Sequence, residues 1–346
     1  MSMRRLTKKR TGAFYLTNLL LTVVLFVVLY LLIDGKVLTG RYTTLLTLVC
    51  VNVILAVSLN LVTGILGQLV LGHAGFMLVG AYASALFTKN VSLALPISFP
   101  ISLVLAGLLA ALFGVIIGIP ALRLRGDYLA IITLGFGEII RVLANADFLK
   151  PITNGAMGLG DIPTLYNRRT SPAGLFVYAF IIMALVIVVN FSFGRSRHGR
   201  AVIAIREDEI AAESAGVNTT YYKLFAFVLA AFIAGVAGGL YANQIQVIDP
   251  AKFDFNRSVE ILIMVVLGGM GSITGSIISA TVLTVLPEML RGFDEYRMLL
   301  YSVILIVVML FKPSGLLGRY EISVPGLFMK LWNKLKHPKQ KTTGEA

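Results

Sequence analysis

Stretches free of Lys, Arg, Asp and Glu run over residues 11–33, 42–88, 90–122, 170–194, 224–248 and 261–287, with lengths of 23, 47, 33, 25, 25 and 27. A helix rises about 1.5 Å per residue, so about 20 apolar residues cross a hydrocarbon layer about 30 Å thick. The 47-residue stretch therefore holds two passes. Two further apolar segments carry or abut charges: 128–146, which contains Glu138 and Arg141, and the shorter 298–311. Backbone exposed to lipid must satisfy its own hydrogen bonds, which selects helices as the spanning element. The pattern predicts an all-α polytopic membrane protein with about eight to ten transmembrane helices, some interrupted by glycine or re-entrant.

Charge at the flanks sets an expected orientation. Arg4, Arg5, Lys8, Lys9 and Arg10 precede the first apolar stretch, which lacks a clean cleavage site and is read as an uncleaved span. They hold the N-terminus in the cytoplasm. Following the chain from there, the cytoplasmic segments carry 19 basic residues and the opposite loops (34–41, 88–92, 147–172, 249–258, 288–297) carry 10. A single pass through 261–287 would leave the basic tail outside. A re-entrant hairpin breaking at Gly268-Gly269-Met270-Gly271 returns it to the cytoplasm. Residues 1–318 form the expected transmembrane domain and 319–346 a basic cytoplasmic tail. In that tail Leu327, Phe328, Leu331, Trp332 and Leu335 fall on one helical stripe, suited to lying on anionic lipid.

Of the 346 residues, 57% are hydrophobic and 14% charged, against roughly a quarter charged in soluble domains. That balance excludes a soluble enzyme and a disordered chain. The single cysteine, Cys50, excludes an internal disulfide or a Cys-based zinc site, and three histidines leave few nitrogen ligands. No metal or cofactor is implied. The net charge of +13 resides at membrane flanks without interleaved aromatics, which argues against nucleic acid. No GxxxxGK[ST], HExxH or GxSxG occurs. Any driving energy must come from an ion gradient or a partner ATPase.

Two apolar segments are broken by glycine and polar residues: Gly64-Ile-Leu-Gly67-Gln68-Leu-Val-Leu-Gly72-His73-Ala-Gly75, and Gly268-Gly269-Met-Gly271-Ser-Ile-Thr-Gly275. Paired interruptions in two halves point to a transport path, as an inverted repeat would place it; small-residue helix packing accounts for the same glycines. Gln68, Gly72, His73, Gly75, Gly268, Gly269 and Gly271 are thus pathway candidates, with His73 read first as a hydrogen-bonded structural group. Glu138 and Arg141, three apart on one helical face, join them as a pair that must face protein or the outer boundary, because bare charge in lipid costs a few kcal/mol. The outer loop Thr153-Asn-Gly155-Ala-Met-Gly158-Leu-Gly160 is a docking or gate candidate. The inner loop 194–223 predicts one short helix, with Ala201, Ile205, Ala212 and Ala215 on a small-residue face and Arg206, Glu209 and Glu213 on a charged face. Gly216-Val-Asn218 stops it. Such a helix suits the groove of another protein.

These residues resemble a known family. The 58–64 and 67–73 stretches, the block 122–141, Gly199-Arg200 through Glu209, 266–272 and Lys312-Pro-Ser-Gly-Leu-Leu317 resemble the M-type permease subunit of bacterial ATP-binding-cassette importers for branched-chain amino acids. The likeness runs in order from about 42 to 318 and departs in the outer loop, where a TGG-type start is usual. The resemblance implies a second homologous permease subunit, two cytoplasmic ATPase subunits and an extracytoplasmic solute-binding protein delivering leucine, isoleucine or valine. It implies an inner-membrane location and no catalytic residue in this chain. It also makes the inner loop the ATPase coupling element, with Arg200, Arg206, Glu207, Asp208, Glu209, Glu213 and Gly216 as coupling candidates. A urea or short-chain amide permease of the same fold is the neighbouring reading. An ion-coupled secondary transporter using Glu138, Arg141 and His73 is the reading from another class.

Overall fold

A computed structural model describes residues 20–38, 40–91, 93–124, 126–165, 173–290, 296, 302–303, 306, 310–312 and 315–318. The basic N-terminal cluster, Arg125, most of the 288–297 loop and the lipid-facing stripe of the tail lie outside the described residues.

The chain is built from helices, and a lone antiparallel bridge, Leu159 to Ile248, is the β pairing among the described residues. In order they are α1 (Leu20–Asp34), α2 (Gly40–Asn60), α3 (His73–Asn90), α4 (Leu95–Ala121), α5 (Asp127–Asn145), the single turn α6 (Lys150–Thr153) and α7 (Gly174–Arg195). Then come α8 (Arg197–Glu207), α9 (Glu209–Ser214), α10 (Thr219–Ile245), α11 (Phe255–Gly268) and α12 (Ile273–Met289). A π-helical segment, Leu61–Leu66, prolongs α2.

Four elements are long and apolar enough to cross a bilayer: Gly40–Leu66, Leu95–Ala121, Gly174–Arg195 and Thr219–Ile245. Helix α5 adds a fifth only together with Lys150–Met157, to which it is bent by 84°. The described residues therefore make a multi-pass membrane protein but fall short of eight to ten full-length spans. Glycine-rich breaks cut the 42–88 and 261–287 stretches into helices and non-helical backbone, and residues 11–19 and most of 298–311 lie outside the described residues. Helices α11 and α12 pack together as a helical hairpin, with the chain reversing through 269–272. Gly269 has φ 108° there, a conformation that side-chain-bearing residues avoid.

Helix α10 lies at the centre, packed against α2, α3 and α4. Its Ala230, Ala234, Gly235, Ala237 and Gly238 are buried, so neighbouring backbones approach closely and exchange dispersion contacts, which substitute in lipid for the hydrophobic drive. A Cβ on Gly238 would run into the Met77 carbonyl of α3. Gly238→Leu is expected to cost at least the ~1–3 kcal/mol typical of overpacking. It would show as a lowered thermal midpoint of the detergent-solubilised protein. Gly135→Ala, inside α5 where an added Cβ meets nothing within 4 Å, should not lower the midpoint.

Two expectations need correction. The inner loop is two helices rather than one: Asp208 leaves the helical region (φ −157°, ψ 109°) and caps α9 by accepting from the amides of Ile210 and Ala211 at 2.9 and 3.0 Å. The segment 249–258, expected as an outer loop, already enters α11 at Phe255, which puts Arg257 in the first turn of a helix.

Candidate functional site

The two glycine-broken segments meet. Asn60, fully buried at the end of α2, accepts the Gly271 amide on its Oδ1 at 2.8 Å. Gly64, in the π-helical turn, lies so near that an added Cβ would stand 2.8 Å from Gly271 Cα. A third element closes the junction: Arg206, from the end of α8, donates from Nη1 to the Gly64 carbonyl at 2.9 Å and lays its aliphatic stem over Gly67. Its Nη2 holds Glu207 at 2.5 Å. The amides of Leu316 and Leu317 donate to the carbonyls of Leu267 and Gly268 at 2.7 and 3.3 Å, capping the end of α11. Interrupted helix ends expose backbone groups that would be forbidden against lipid and are tolerated where protein or water meets them. Wide π-turns occur disproportionately at functional sites.

The arrangement revises the role of several expected residues. Arg206, placed by helical periodicity on an outward charged face, turns inward. Glu209 does the same, accepting from buried Lys223 of α10 at 2.6 Å. Ile205 and Ala212 are buried as anchors, Ala201 is half-buried and Ala215 is exposed, so only part of the small-residue face packs on the protein itself. The outward surface is made by Glu207, Ile210, Ala211, Glu213 and Gly216, with Ile210 67% exposed. Ile210 was not among the sequence expectations; an apolar residue between charged neighbours in a polar loop was the available signal. Gly216 ends α9 as expected, its φ 84° allowing paired bonds from the Gly216 and Val217 amides to Glu213 and Ala212. Arg200 is exposed and donates to the Arg195 carbonyl at 3.0 Å.

Around the first break, the polar residues act as joints. His73 Nε2 and Ser58 Oγ are 2.6 Å apart, tying the start of α3 to α2. The Leu71 amide donates to Thr133 Oγ1 at 3.1 Å, and that of Ala74 to Ser258 Oγ at 3.1 Å. Gly72 and Gly75 lie directly against Thr133 and Gly137 of α5. Gln68 Oε1 and Asn60 Nδ2 are buried without a hydrogen-bond partner among the described residues. Gly268 packs on Gly275 across the hairpin and Gly269 on Gly318.

A second polar cluster joins α2, α5, α11 and α12. Glu138 accepts from Arg141 at 2.7 Å on Oε2 and from the Phe255 amide at 3.1 Å on Oε1, so the expected ion pair also receives the start of α11. On α11, Arg257 donates from Nη1 to Glu260 Oε2 at 2.9 Å and from Nη2 to Asn52 Oδ1 of α2 at 2.7 Å. Asn52 in turn donates to Thr284 Oγ1 of α12 at 2.8 Å. Arg257 and Glu260 were absent from the sequence expectations, because the charge-free stretch begins at 261. The spacing signal was present in their i, i+3 relation.

The loop 153–163, expected to face outward, is a built structure. Gly155 and Gly158 have φ 57° and 76°, Asn154 Nδ2 donates to the Gly158 carbonyl at 2.9 Å, and Leu159 pairs with Ile248. Lys89 Nζ reaches the Gly160 carbonyl at 3.1 Å, and Asn243 Nδ2 the Pro163 carbonyl at 2.5 Å, pinning the loop over α3 and α10.

Residues 41–310 match the family model described as "Branched-chain amino acid transport system / permease component". The chain is 40% identical over 297 residues to the high-affinity branched-chain amino acid transport system permease protein LivM of Salmonella typhimurium, covering 78% of this chain and 68% of that one. It is 38% identical over 297 residues to LivM of Escherichia coli, with the same coverage. To the permease protein LivH of Salmonella typhimurium it is 30% identical over 203 residues, 53% of this chain and 64% of that one.

Proposed function

We propose, since the chain belongs to the permease family of branched-chain amino acid transport systems, that it is a transmembrane subunit of an ATP-binding-cassette importer and forms half of the translocation path for leucine, isoleucine and valine. The other half is a second, homologous permease. The chain lies in the bacterial inner membrane with both termini in the cytoplasm, and its short apolar helices bring the membrane helices to about eight to ten. Residues 1–318 are the permease unit and 319–346 a tail lying on anionic lipid.

The observation that carries this reading is the bond from Arg206 to Gly64. It runs from the short helices α8 and α9 straight to the place where two broken helices touch. One of two ATPase subunits seats the outward surface of Glu207, Ile210 and Glu213. When they close on ATP, α8 moves as a rigid rod, and Arg206 transmits that displacement to the Gly64–Gly271 junction, opening or closing the path beside it. The outer loop with Gly155, Gly158 and Gly160 receives the solute-binding protein. The chain itself supplies no catalytic group; ATP is hydrolysed by the partners.

Reconstitution tests the reading. Vesicles holding both permeases and both ATPases, given a liganded binding protein, are expected to take up leucine only with ATP inside the ATPase compartment. Leucine uptake by this chain alone under a proton or sodium gradient would instead make it an ion-coupled carrier. Uptake of urea but not leucine, with the matching binding proteins exchanged, would move it to the amide branch of the same fold.

A further inference from the structure

Gly40 to Asn52 along α2 spans about 18 Å, and Asn52 to Gly64 about the same. Asn52 therefore lies near the middle of the candidate span Gly40–Leu66, and with it Arg257 and Thr284, to which it is bonded. Glu138 gives the same depth independently: it lies about 16 Å along α5 from Asp127, and it holds the first amide of α11. Helix α11 thus begins beside the middle of the candidate span Gly40–Leu66 and carries Arg257 and, one turn further on, Glu260.

Their exposure differs sharply. Arg257 has 15% of its side chain accessible and is locked by Glu260, Asn52 and the Tyr241 ring, 5.9 Å from its guanidinium carbon. Glu260 has 52% of its side chain accessible. A half-exposed carboxylate at that depth is incompatible with lipid and belongs on a watery or protein-lined surface. Arg257 engages one carboxylate oxygen, Oε2, and a carboxylate has lone pairs for several donors. Asn256 and Glu260 share the exposed side of α11, and the partly exposed Glu138–Arg141 pair borders it. This charged patch contrasts with the apolar surfaces of α4 and α7, where Leu108, Leu112, Leu185 and Val188 are exposed.

We infer that Glu260, held in place by Arg257 and the Asn52–Thr284 chain, receives the α-ammonium group of a zwitterionic amino acid crossing the membrane. The inference rests on the importer reading and adds to it a transient substrate contact at mid-membrane. Arg257 is the positioning residue: its guanidinium fixes the carboxylate rotamer and is itself oriented by Asn52. Binding there involves no bond making or breaking, only exchange of the ammonium's water shell for carboxylate oxygen.

The complete reconstituted transporter tests it. Glu260→Gln removes the charge at constant shape and is expected to lower leucine uptake about tenfold or more, while binding-protein-stimulated ATP hydrolysis stays within about twofold. Glu260→Asp should recover part of the uptake. The chain's single cysteine, Cys50, is buried, so a Cys50→Ala, Glu260→Cys variant carries one reporter thiol. That thiol is expected to react with a cationic, membrane-impermeant methanethiosulfonate, more slowly when leucine-loaded binding protein and ATP are present. This measurement decides the matter should the glutamine variant fail to assemble. Wild-type uptake by Glu260→Gln, equal loss of uptake and ATP hydrolysis, a thiol that stays unlabelled, or labelling that leucine does not slow each overturns the assignment. Wild-type uptake independent of ATP would strike the importer reading instead.

Discussion

Replacing Arg206 by alanine is expected to reduce ATP-driven uptake by roughly ten- to a hundredfold, with membrane insertion and ATPase association retained. The figure follows from the bond. A hydrogen bond from a charged donor contributes about 1.5–3 kcal/mol, and each ~1.4 kcal/mol is a factor of ten. The guanidinium reaches the Gly64 carbonyl at 2.9 Å, while the outward face of α8 and α9 is made by other side chains. Removing it should therefore disconnect α8 from the broken helices without stripping the surface that the ATPases seat. The result expected is futile cycling: ATP consumed per leucine rises as uptake falls. Arg206→Lys should fall between, since a lysine keeps the charge but loses the planar fork that bonds Gly64 and Glu207 together. Co-purification of the ATPases with the alanine variant, beside uptake measured in vesicles, separates the possibilities. If the ATPases are lost with Arg206, the residue belongs to their docking surface. If uptake is undiminished, α8 moves the path by another route.

The residues at this junction were legible in the sequence to different degrees, for physical reasons. Gly64, Gly268 and Gly271 stand out because a helix-breaking residue inside a Leu/Val/Ile-rich stretch either unwinds the helix or brings two backbones together. At this junction they do both. The Glu138–Arg141 pair was legible because it obeys helix spacing on one element. Arg206 was legible as a residue of interest and misplaced in direction. A helical wheel over 201–215 assumes one continuous helix, and Asp208, a favoured N-cap residue, starts a new one. Lys223 with Glu209, and Asn60 with Gly271, are contacts between distant segments, set by tertiary packing that no local period encodes. Arg257 and Glu260 were hidden by the counting itself. A span defined by absence of charge ends where charge begins, whereas the fold carries the helix past both residues by giving Arg257 a buried acceptor in Asn52. A charged residue at the edge of an apolar run is thus a loop residue or a paired membrane residue, and only the partner on another helix decides.

Gly64→Ala should be the more damaging change, with uptake falling more than about a hundredfold and recovery by no other single small substitution at that position. The methyl would enter space already filled by Asn60 Oδ1, the Gly271 amide and Gly271 Cα, the last 2.8 Å from the ideal Cβ position. These neighbours are backbone and a fully buried amide, which cannot swing aside as the end of a long side chain would. Relief requires the π-turn and the 269–272 reversal to separate. Separation costs the Asn60–Gly271 bond, about 0.5–1.5 kcal/mol, on top of about 1–3 kcal/mol of overpacking. It also displaces the carbonyl that Arg206 grips, so the coupling bond and the helix junction fail together. For that reason Gly64→Ala and Arg206→Ala should be far from additive: the double variant should transport no worse than Gly64→Ala alone. Gly194→Ala is the control, because its added Cβ would meet only Ile65 Cδ1, at an ordinary 3.9 Å. Near-normal uptake by Gly64→Ala, measured on variants matched for membrane level, would mean that the two breaks move independently and that their contact is incidental to transport. Full additivity of the two substitutions would mean that Arg206 acts elsewhere than through Gly64.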